Sequence, residues 1–253
     1  MEFSIKMVRL KGRTLPLNYQ YALSSWIYKV IAKADRQYAT WLHQEGHTLG
    51  SKKFKLFTFS RLMIHPYKIE GDRILIMGEE ITLNVRFLVH KSMEKFIRGL
   101  FMPQLFTLGD WKSQVRLQVA EMTLQPGPLF MPTMRYQCVS PVCIAVNGDK
   151  YAAYLSPYTV GYGEYLFRNL CKKQMVEGMA GAMDNFDSFS FKLLSKPLSR
   201  LITMKPGTSD AVKIRGYSFN FEMTLPTVLH KIGYYAGFGE KNSTGFGCVK
   251  ALS

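Results

Sequence analysis

The chain has 253 residues, and with 47% of them hydrophobic it can fill one large core or two of ordinary size, which marks it as a folded protein. Thirty-three Lys and Arg stand against 18 Asp and Glu, a formal charge of +15 that points to a polyanionic partner, nucleic acid ahead of a membrane surface. No window approaches the roughly 18 apolar residues of a membrane-spanning helix, and the start "MEFSIKMVRLKGR" alternates like a strand instead of showing a signal-peptide core, so a cytoplasmic protein is expected.

In chain order, "EFSIKMVRL" reads as a strand, with Phe3, Ile5, Met7 and Val8 roughly alternating with polar residues. Leu23, Trp26, Ile27, Val30 and Ile31 then fall at helical spacing and give one apolar face, with Asn18 placed to cap the helix. Asp35 opens a second expected helix, "DRQYATWLHQE", with Gly46 as its stop. Strand-like runs follow at "FKLFTFSRLMI", "DRILIMG" and "ITLNVRFLV", then a short helix "KSMEKFIRGLF" and a strand "WKSQVRLQVAEMTLQ".

"QPGPLFMP", with three prolines and a glycine, is the strongest break in the chain and places a domain boundary between residues 126 and 127. Beyond it, "TMRYQCVSPVCIAV" and "DKYAAYL" read as strands, and "SPYTVGYGEYLFRNLCKKQMV" as a helix starting after Pro157. "FSFKLLSKPLSRLITM" and "VKIRGYSFNFEMTL" read as two more strands, "PTVLHKIGYYAG" as a helix with Pro226 at its first turn, and "GCVKAL" as a last strand. Each half, 1–126 and 127–253, therefore repeats a β-α-β-β-α-β order. The expected fold class is α+β: two tandem ferredoxin-like domains, the topology of the RNA-recognition motif, each an antiparallel sheet with helices on one face.

Before the last strand stands "GYYAGFGEKNSTGFGCVK", with five glycines. Clustered glycines near Lys241 suggest backbone amides turned toward a phosphate. The nucleotide-binding patterns fail: no Gly-Lys-Ser/Thr follows either Gly-Phe-Gly triplet, and Asn242 stands where a dinucleotide fingerprint needs its third glycine. Phe238 and Phe246 are assigned to packing. Cys138, Cys143, Cys171 and Cys248 form no Cys-x-x-Cys pair and read as small buried hydrophobes, so no metal site and no cofactor is expected. The acidic residues are scattered, without ligand-like placement. Asn242-Ser243-Thr244 matches a glycosylation acceptor, a chance match in a chain without a secretory signal.

A strongly basic chain of two ferredoxin-like units ending in Gly237-Phe238-Gly239, five residues, then Gly245-Phe246-Gly247 resembles the CRISPR-associated endoribonucleases of the Cas6 family, within the RAMP superfamily. The stretch "NYQYALSSWIYKVIAKADRQYATWLHQEG" followed by "FKLFTFS" is similar to that family's start. The resemblance implies metal-independent cleavage of CRISPR precursor RNA once per repeat. The RNA's own 2′-hydroxyl attacks the adjacent phosphate, leaving a 2′,3′-cyclic phosphate and a 5′-hydroxyl. Such a step calls for a base, an acid and a cation for the pentavalent phosphate.

Carried onto this sequence, the resemblance implies His43 in "ATWLHQEG" as the catalytic histidine, Tyr28 in "WIYKV" as a hydrogen-bonding tyrosine, and Lys55 in "FKLFTFS" as the lysine that stabilises phosphate charge. A last-turn histidine meets the negative end of the helix dipole, which favours imidazolium and a general acid. His47 stands as the alternate histidine in a link that looks longer than the family's, and Lys52 and Lys53 as alternates to Lys55. RNA contacts are expected from Lys52, Lys53, Arg215, Lys241 and Lys250, and from the loop glycines Gly237, Gly239, Gly245 and Gly247. The expected partner is the repeat of CRISPR precursor RNA, with other CRISPR effector subunits and a homodimer left open and no membrane. Two rival readings stand beside this one: a non-catalytic repeat- or guide-RNA-binding subunit of the same superfamily, and an unrelated basic ferredoxin-like protein, which explains the charge but not the glycine spacing.

Overall fold

The structure is a computed structural model that describes residues 1–34, 47–49, 52–88, 101, 104–146, 152–178 and 189–252. The first part of the chain runs β1 (Glu2–Lys11), β2 (Thr14–Pro16), α1 (Gln20–Ala34), β3 (His47–Leu49), β4 (Lys52–Phe54), β5 (Phe57–Phe59), β6 (Met63–Ile64), β7 (Tyr67–Glu70), β8 (Arg73–Ile76), β9 (Glu80–Phe87), β10 (Leu105–Gly109) and β11 (Gln114–Gln125). The second runs β12 (Thr133–Cys138), β13 (Ala145–Val146), β14 (Ala153–Tyr154), α2 (Tyr162–Val176), β15 (Ser190–Leu193), β16 (Leu198–Met204), β17 (Val212–Ser218), β18 (Asn220–Thr224), α3 (Thr227–Ala236) and β19 (Val249–Leu252).

The larger sheet has the order β10-β11-β1-β9-β5, with β6 also paired to β9, and the second has β15-β18-β12-β19; every pairing is antiparallel. In each, the first strand lies between the last strand and the third, the ferredoxin-like arrangement, so both halves of the expected two-domain α+β fold are present. The expected helices at 35–45 and 91–101 lie outside the described residues, except that Phe101 is helical and buried.

Alternation builds the first core. Phe3, Ile5 and Met7 of β1 and Leu83 and Val85 of β9 are buried beneath α1, whose Leu23, Trp26, Ile27, Val30 and Ile31 meet them, as the helical spacing predicts. Trp26 stacks on Phe106 of the edge strand β10 at 3.9 Å, a strand the sequence reading missed. In the second core, Met134, Tyr136 and Cys138 of β12 and Phe221 and Met223 of β18 face Leu166 and Leu170 of α2 and Leu229 and Ile232 of α3. Phe54, Leu56 and Leu88, from the first part of the chain, belong to this second core and interlock the two halves.

Several expected elements differ. "FSFKLLSKPLSRLITM" and "VKIRGYSFNFEMTL" are each two strands: β15 and β18 stay in the second sheet, whereas β16 and β17 pair with each other as a separate hairpin, with Tyr217 of β17 also bridged to Val142. The break falls at Pro197 in one and at Phe219 in the other. The buried parity switches there from Ile214 and Gly216 to Phe219, Phe221 and Met223, so a single strand cannot bury both sets on one face. "FKLFTFSRLMI" is likewise broken, by Leu56 in a left-handed conformation at φ 48°. α2 starts at Tyr162 after Gly161 at φ 76°, later than the turn at Pro157 suggested. Asn18 does not act as the expected helix cap; its Oδ1 accepts from Thr203 N of β16 at 3.2 Å and ties the hairpin to the entry of α1.

One buried group holds the two sheets in register. Arg86 of β9, with its side chain 3% exposed, donates to Glu2 Oε1 at 2.9 Å, to the carbonyl of Val249 on β19 and to Tyr234 O of α3 at 3.4 Å, and its guanidinium lies 3.7 Å from the Tyr234 ring centroid. Tyr234 closes the cycle by donating to Glu2 Oε2 at 2.6 Å. Arg86→Ala leaves a buried carboxylate unpaired and is expected to cost about 3–5 kcal/mol, read as a lower urea midpoint. The double replacement Glu2→Gln with Arg86→Met is expected to recover much of that loss. A single-site variant as stable as the wild type would contradict the assignment.

Candidate active site

The glycine-rich loop is wound around a buried ammonium. Lys173 of α2 is 2% exposed, and its Nζ donates to Gly237 O at 2.5 Å, Gly239 O at 2.9 Å and Asn242 Oδ1 at 2.8 Å, which uses all three of its N–H groups. Burial pushes its pKa down to about 7, while nearby Glu240 acts in the opposite sense. Asn242 in turn donates Nδ2 to Phe238 O and Phe246 O, both at 3.1 Å, so one side chain ties the two Gly-Phe-Gly triplets together. Phe238 and Phe246 are fully buried. Phe238 sits 5.1 Å from the Tyr136 ring and 5.3 Å from that of Phe221, and Phe246 packs with Ile202, Met204 and Ile214 of the hairpin.

The glycines serve this packing. At Gly247, φ 78°, a Cβ would lie 2.1 Å from Phe238 O; at Gly239, φ 70°, it would lie 2.4 Å from Cys143 O. The expectation that loop amides turn toward a phosphate is corrected for Gly245 and Gly247. Gly245 N donates to Asn242 O and Gly247 N to Pro141 O, alongside Phe238 N to Gly247 O and Glu240 N to Cys143 O. What the loop offers solvent is Lys241, exposed and left-handed at φ 59°.

The far side of the loop docks on the first domain. The short 3-10 turn Asn242–Thr244 lies against α1, where Ser24 Oγ donates to Ser243 O at 2.8 Å, and Thr58 Oγ1 of β5 donates to Phe246 O at 3.0 Å. Tyr28, one turn beyond Ser24 on α1, is half-buried with its ring edge-on to Phe57 at 5.5 Å. Burial pushes its pKa up to about 12, and a hydrogen bond with the Ser243 side chain acts in the opposite sense. The structure thus brings Tyr28 to the glycine loop. Ser243, which links them, was passed over in the sequence as part of a chance glycosylation match.

Lys55 is half-buried in the bend between β4 and β5. His47 pairs with Phe54 across the β3–β4 hairpin, with Lys53 opposite Thr48 and Lys52 opposite Leu49, so His47 and the three lysines share one short hairpin and its exit. The side chains of His47, Lys52 and Lys53, and all of His43, lie outside the described residues. His230 has no such role: it is fully buried, its Nε2 lies 3.0 Å from Pro132 O and its Nδ1 3.0 Å from Tyr136 Oη, and burial lowers its pKa. The four cysteines are free and buried.

On the opposite side, the open faces of the two sheets meet in a groove of about 1730 Å³. Ser4 and Asn84 from the first sheet and Gln137 and Lys250 from the second line it. Its acidic members are paired: Glu2 with Arg86, and Asp72 and Asp110 with Arg73. Arg61, Arg200 and Lys250 are exposed along it, which leaves the groove basic. Arg215 sits on the neighbouring strand of the hairpin, donating to Ser199 Oγ at 2.7 Å.

Comparison with known proteins gives a consistent picture. Residues 14–119 match the family model "CRISPR-associated protein Cas6, N-terminal", and residues 126–251 match "CRISPR associated protein Cas6, C-terminal". The chain is 28% identical over 239 residues to a CRISPR-associated endoribonuclease Cas6 of Methanocaldococcus jannaschii, covering 93% of this chain and 86% of the relative. It is 27% identical over 263 residues to the CRISPR-associated endoribonuclease Cas6 of Pyrococcus furiosus, covering 99% and 89%. Among solved structures, one described as a RAMP protein binding different RNA substrates superposes with a TM-score of 0.82 at 22% identity, over the whole of both chains, a likeness of fold.

Lys173→Met keeps the length of the side chain and strips three oxygens of their donor, at an expected cost of about 2–4 kcal/mol. Hydrogen exchange at residues 237–247 is expected to rise well above its rise elsewhere in the chain. Unchanged protection of the loop would show that Lys173 does not hold it.

Proposed function

The chain belongs to the Cas6 family, and from that premise we propose that it is an endoribonuclease that binds the repeat of CRISPR precursor RNA and cuts it once per repeat without a metal ion. The 2′-hydroxyl oxygen forms a bond to the adjacent phosphorus as the P–O5′ bond breaks. The 2′ proton passes to a base, and the leaving 5′-oxygen takes a proton from an acid. The products are a 2′,3′-cyclic phosphate and a 5′-hydroxyl. His43 is assigned as the general acid, with His47 as its alternate; Lys55 neutralises charge on the phosphate, with Lys52 and Lys53 beside it.

The observation that carries this reading is the docking of the glycine loop on α1, which sets the Tyr28 hydroxyl against Ser243 where the two domains meet. With its pKa at about 12, Tyr28 stays protonated at neutral pH and acts by donating a hydrogen bond to the phosphate or the reacting oxygen, not as the base. Lys241 and Lys250 contact phosphates, and the basic groove takes an unpaired part of the RNA against the open sheets, with Arg61, Arg200 and Arg215 nearby.

Purified protein incubated in EDTA with labelled repeat RNA from its own genome is expected to give a single cut, abolished by 2′-deoxy substitution at the cut site. His43→Ala is expected to slow it by about 10²–10⁴-fold without weakening binding, and His47→Ala to leave it fast. The reverse outcome for the two histidines would move the acid to His47. Tight binding with no cut by the wild type would sink the enzyme reading and leave a guide-RNA-binding subunit.

A pH–rate profile separates the role of Tyr28. Since its hydroxyl ionises only near pH 12, Tyr28→Phe is expected to lower the rate about tenfold, the loss of one hydrogen bond, while leaving the shape of the profile between pH 5 and 10 unchanged. Loss of an ionisation in that window on this substitution would assign Tyr28 the base role instead.

A further inference from the structure

Trp111 is 86% exposed at the tip of the β10–β11 hairpin, a residue type that ordinarily seeks cover. Its turn is rigid. Asp110 Oδ1 accepts from Lys112 N at 3.0 Å and Ser113 N at 2.9 Å, and Asp110 N donates to Ser113 O at 3.0 Å. Arg73 of β8 clamps the turn from outside, donating to Asp110 Oδ2 at 2.6 Å and Ser113 Oγ at 3.0 Å. At Gly109 a Cβ would lie 2.1 Å from Ser113 O, so the backbone closes tightly beneath the ring. None of these contacts uses the indole, so the turn is fixed without it.

The indole lines the basic groove, and the Lys112 ammonium stands 5.2 Å from its ring centroid. An exposed flat aromatic with a cation at its side, on a rigid support in a groove whose described acids are all paired, matches a nucleotide: a base for the ring and a phosphate for the ammonium. Exposed apolar residues such as Leu17, Ile69 and Leu201 line the groove as well, but its described acids are paired while Arg61, Arg200 and Lys250 stand exposed, and that excess of positive charge favours a polyanion over a protein partner.

We propose that Trp111 is the stacking platform for one unpaired nucleobase of the bound RNA, with Lys112 on the neighbouring phosphate. The proposal rests on the RNA-binding reading above and adds a residue that the candidate catalytic set does not contain. Stacking on a single aromatic is worth about tenfold or more in affinity, and a single phosphate contact about one unit in the slope of log Kd against log salt.

The test measures fluorescence anisotropy of labelled repeat RNA carrying 2′-deoxy at the cut position, together with a series in which each nucleotide in turn is abasic. Trp111→Ala is expected to weaken binding about tenfold with an unchanged melting temperature, and Trp111→Phe to retain most of the affinity. Lys112→Ala is expected to flatten the salt slope. One abasic position is expected to cost the wild type a similar factor and to cost Trp111→Ala nothing further, which identifies the stacked nucleotide. Tight wild-type binding with no loss in Trp111→Ala, or equal loss in the Ala and Phe variants, overturns this inference alone. Wild-type binding no tighter to repeat RNA than to unrelated RNA of the same length overturns the functional reading and this inference with it.

Discussion

The guanidinium of Arg86 is the constraint on which the relation between the two sheets depends. It leaves β9 of the first domain and ends among groups of the second, the carbonyls of Val249 and Tyr234 and the Tyr234 ring, while Glu2 supplies the countercharge from the neighbouring strand β1. A buried cation has few stable surroundings, and moving either sheet by one residue removes at least one of its partners. The pair therefore works as a registry device. The same seam, seen from its open side, forms the groove; from its helical side, it presents α1 to the glycine loop.

A second buried cation performs the corresponding task inside the loop. Chain with this many left-handed residues has no regular hydrogen-bond ladder of its own, and its carbonyls would otherwise compete for water. Lys173 supplies the missing donors from a helix, Asn242 bridges the two triplets, and the phenylalanines anchor them beneath. The loop is thus a stiff plug that presents Ser243 to α1 and Lys241 to solvent. Preorganisation of this kind matters most where a hydroxyl must meet a phosphate within a few tenths of an ångström.

What could be read from the sequence was what is local. The alternation of Phe3, Ile5 and Met7, the apolar face from Leu23 to Ile31, and the helix started by Pro226 all appear in the structure, because each depends on period and on residues a turn away. Phe238 and Phe246 were legible as anchors for the same reason. The β16–β17 hairpin was not, although Pro197 and the switch of parity at Phe219 marked where it leaves the sheet. Lys173 gave no signal, because nothing in "CKKQ" distinguishes a lysine in water from one that ends among three oxygens far along the chain. Ser243 and Trp111 were missed likewise: one acquires meaning only from Tyr28, the other only from the groove.

The hydrogen bond from Ser24 to Ser243 spans 219 positions of sequence, and that from Thr58 to Phe246 spans 188. Contacts of such separation form late, since the chain must close its largest loops before they repay the entropy. On the ribosome, the first domain can bury its core while the loop that faces Tyr28 has not yet been made. A nascent chain can accordingly be basic and folded over its first domain while the loop that meets Tyr28 is still absent. This order of assembly sets the glycine loop against α1 and Tyr28 only after the second domain has been made.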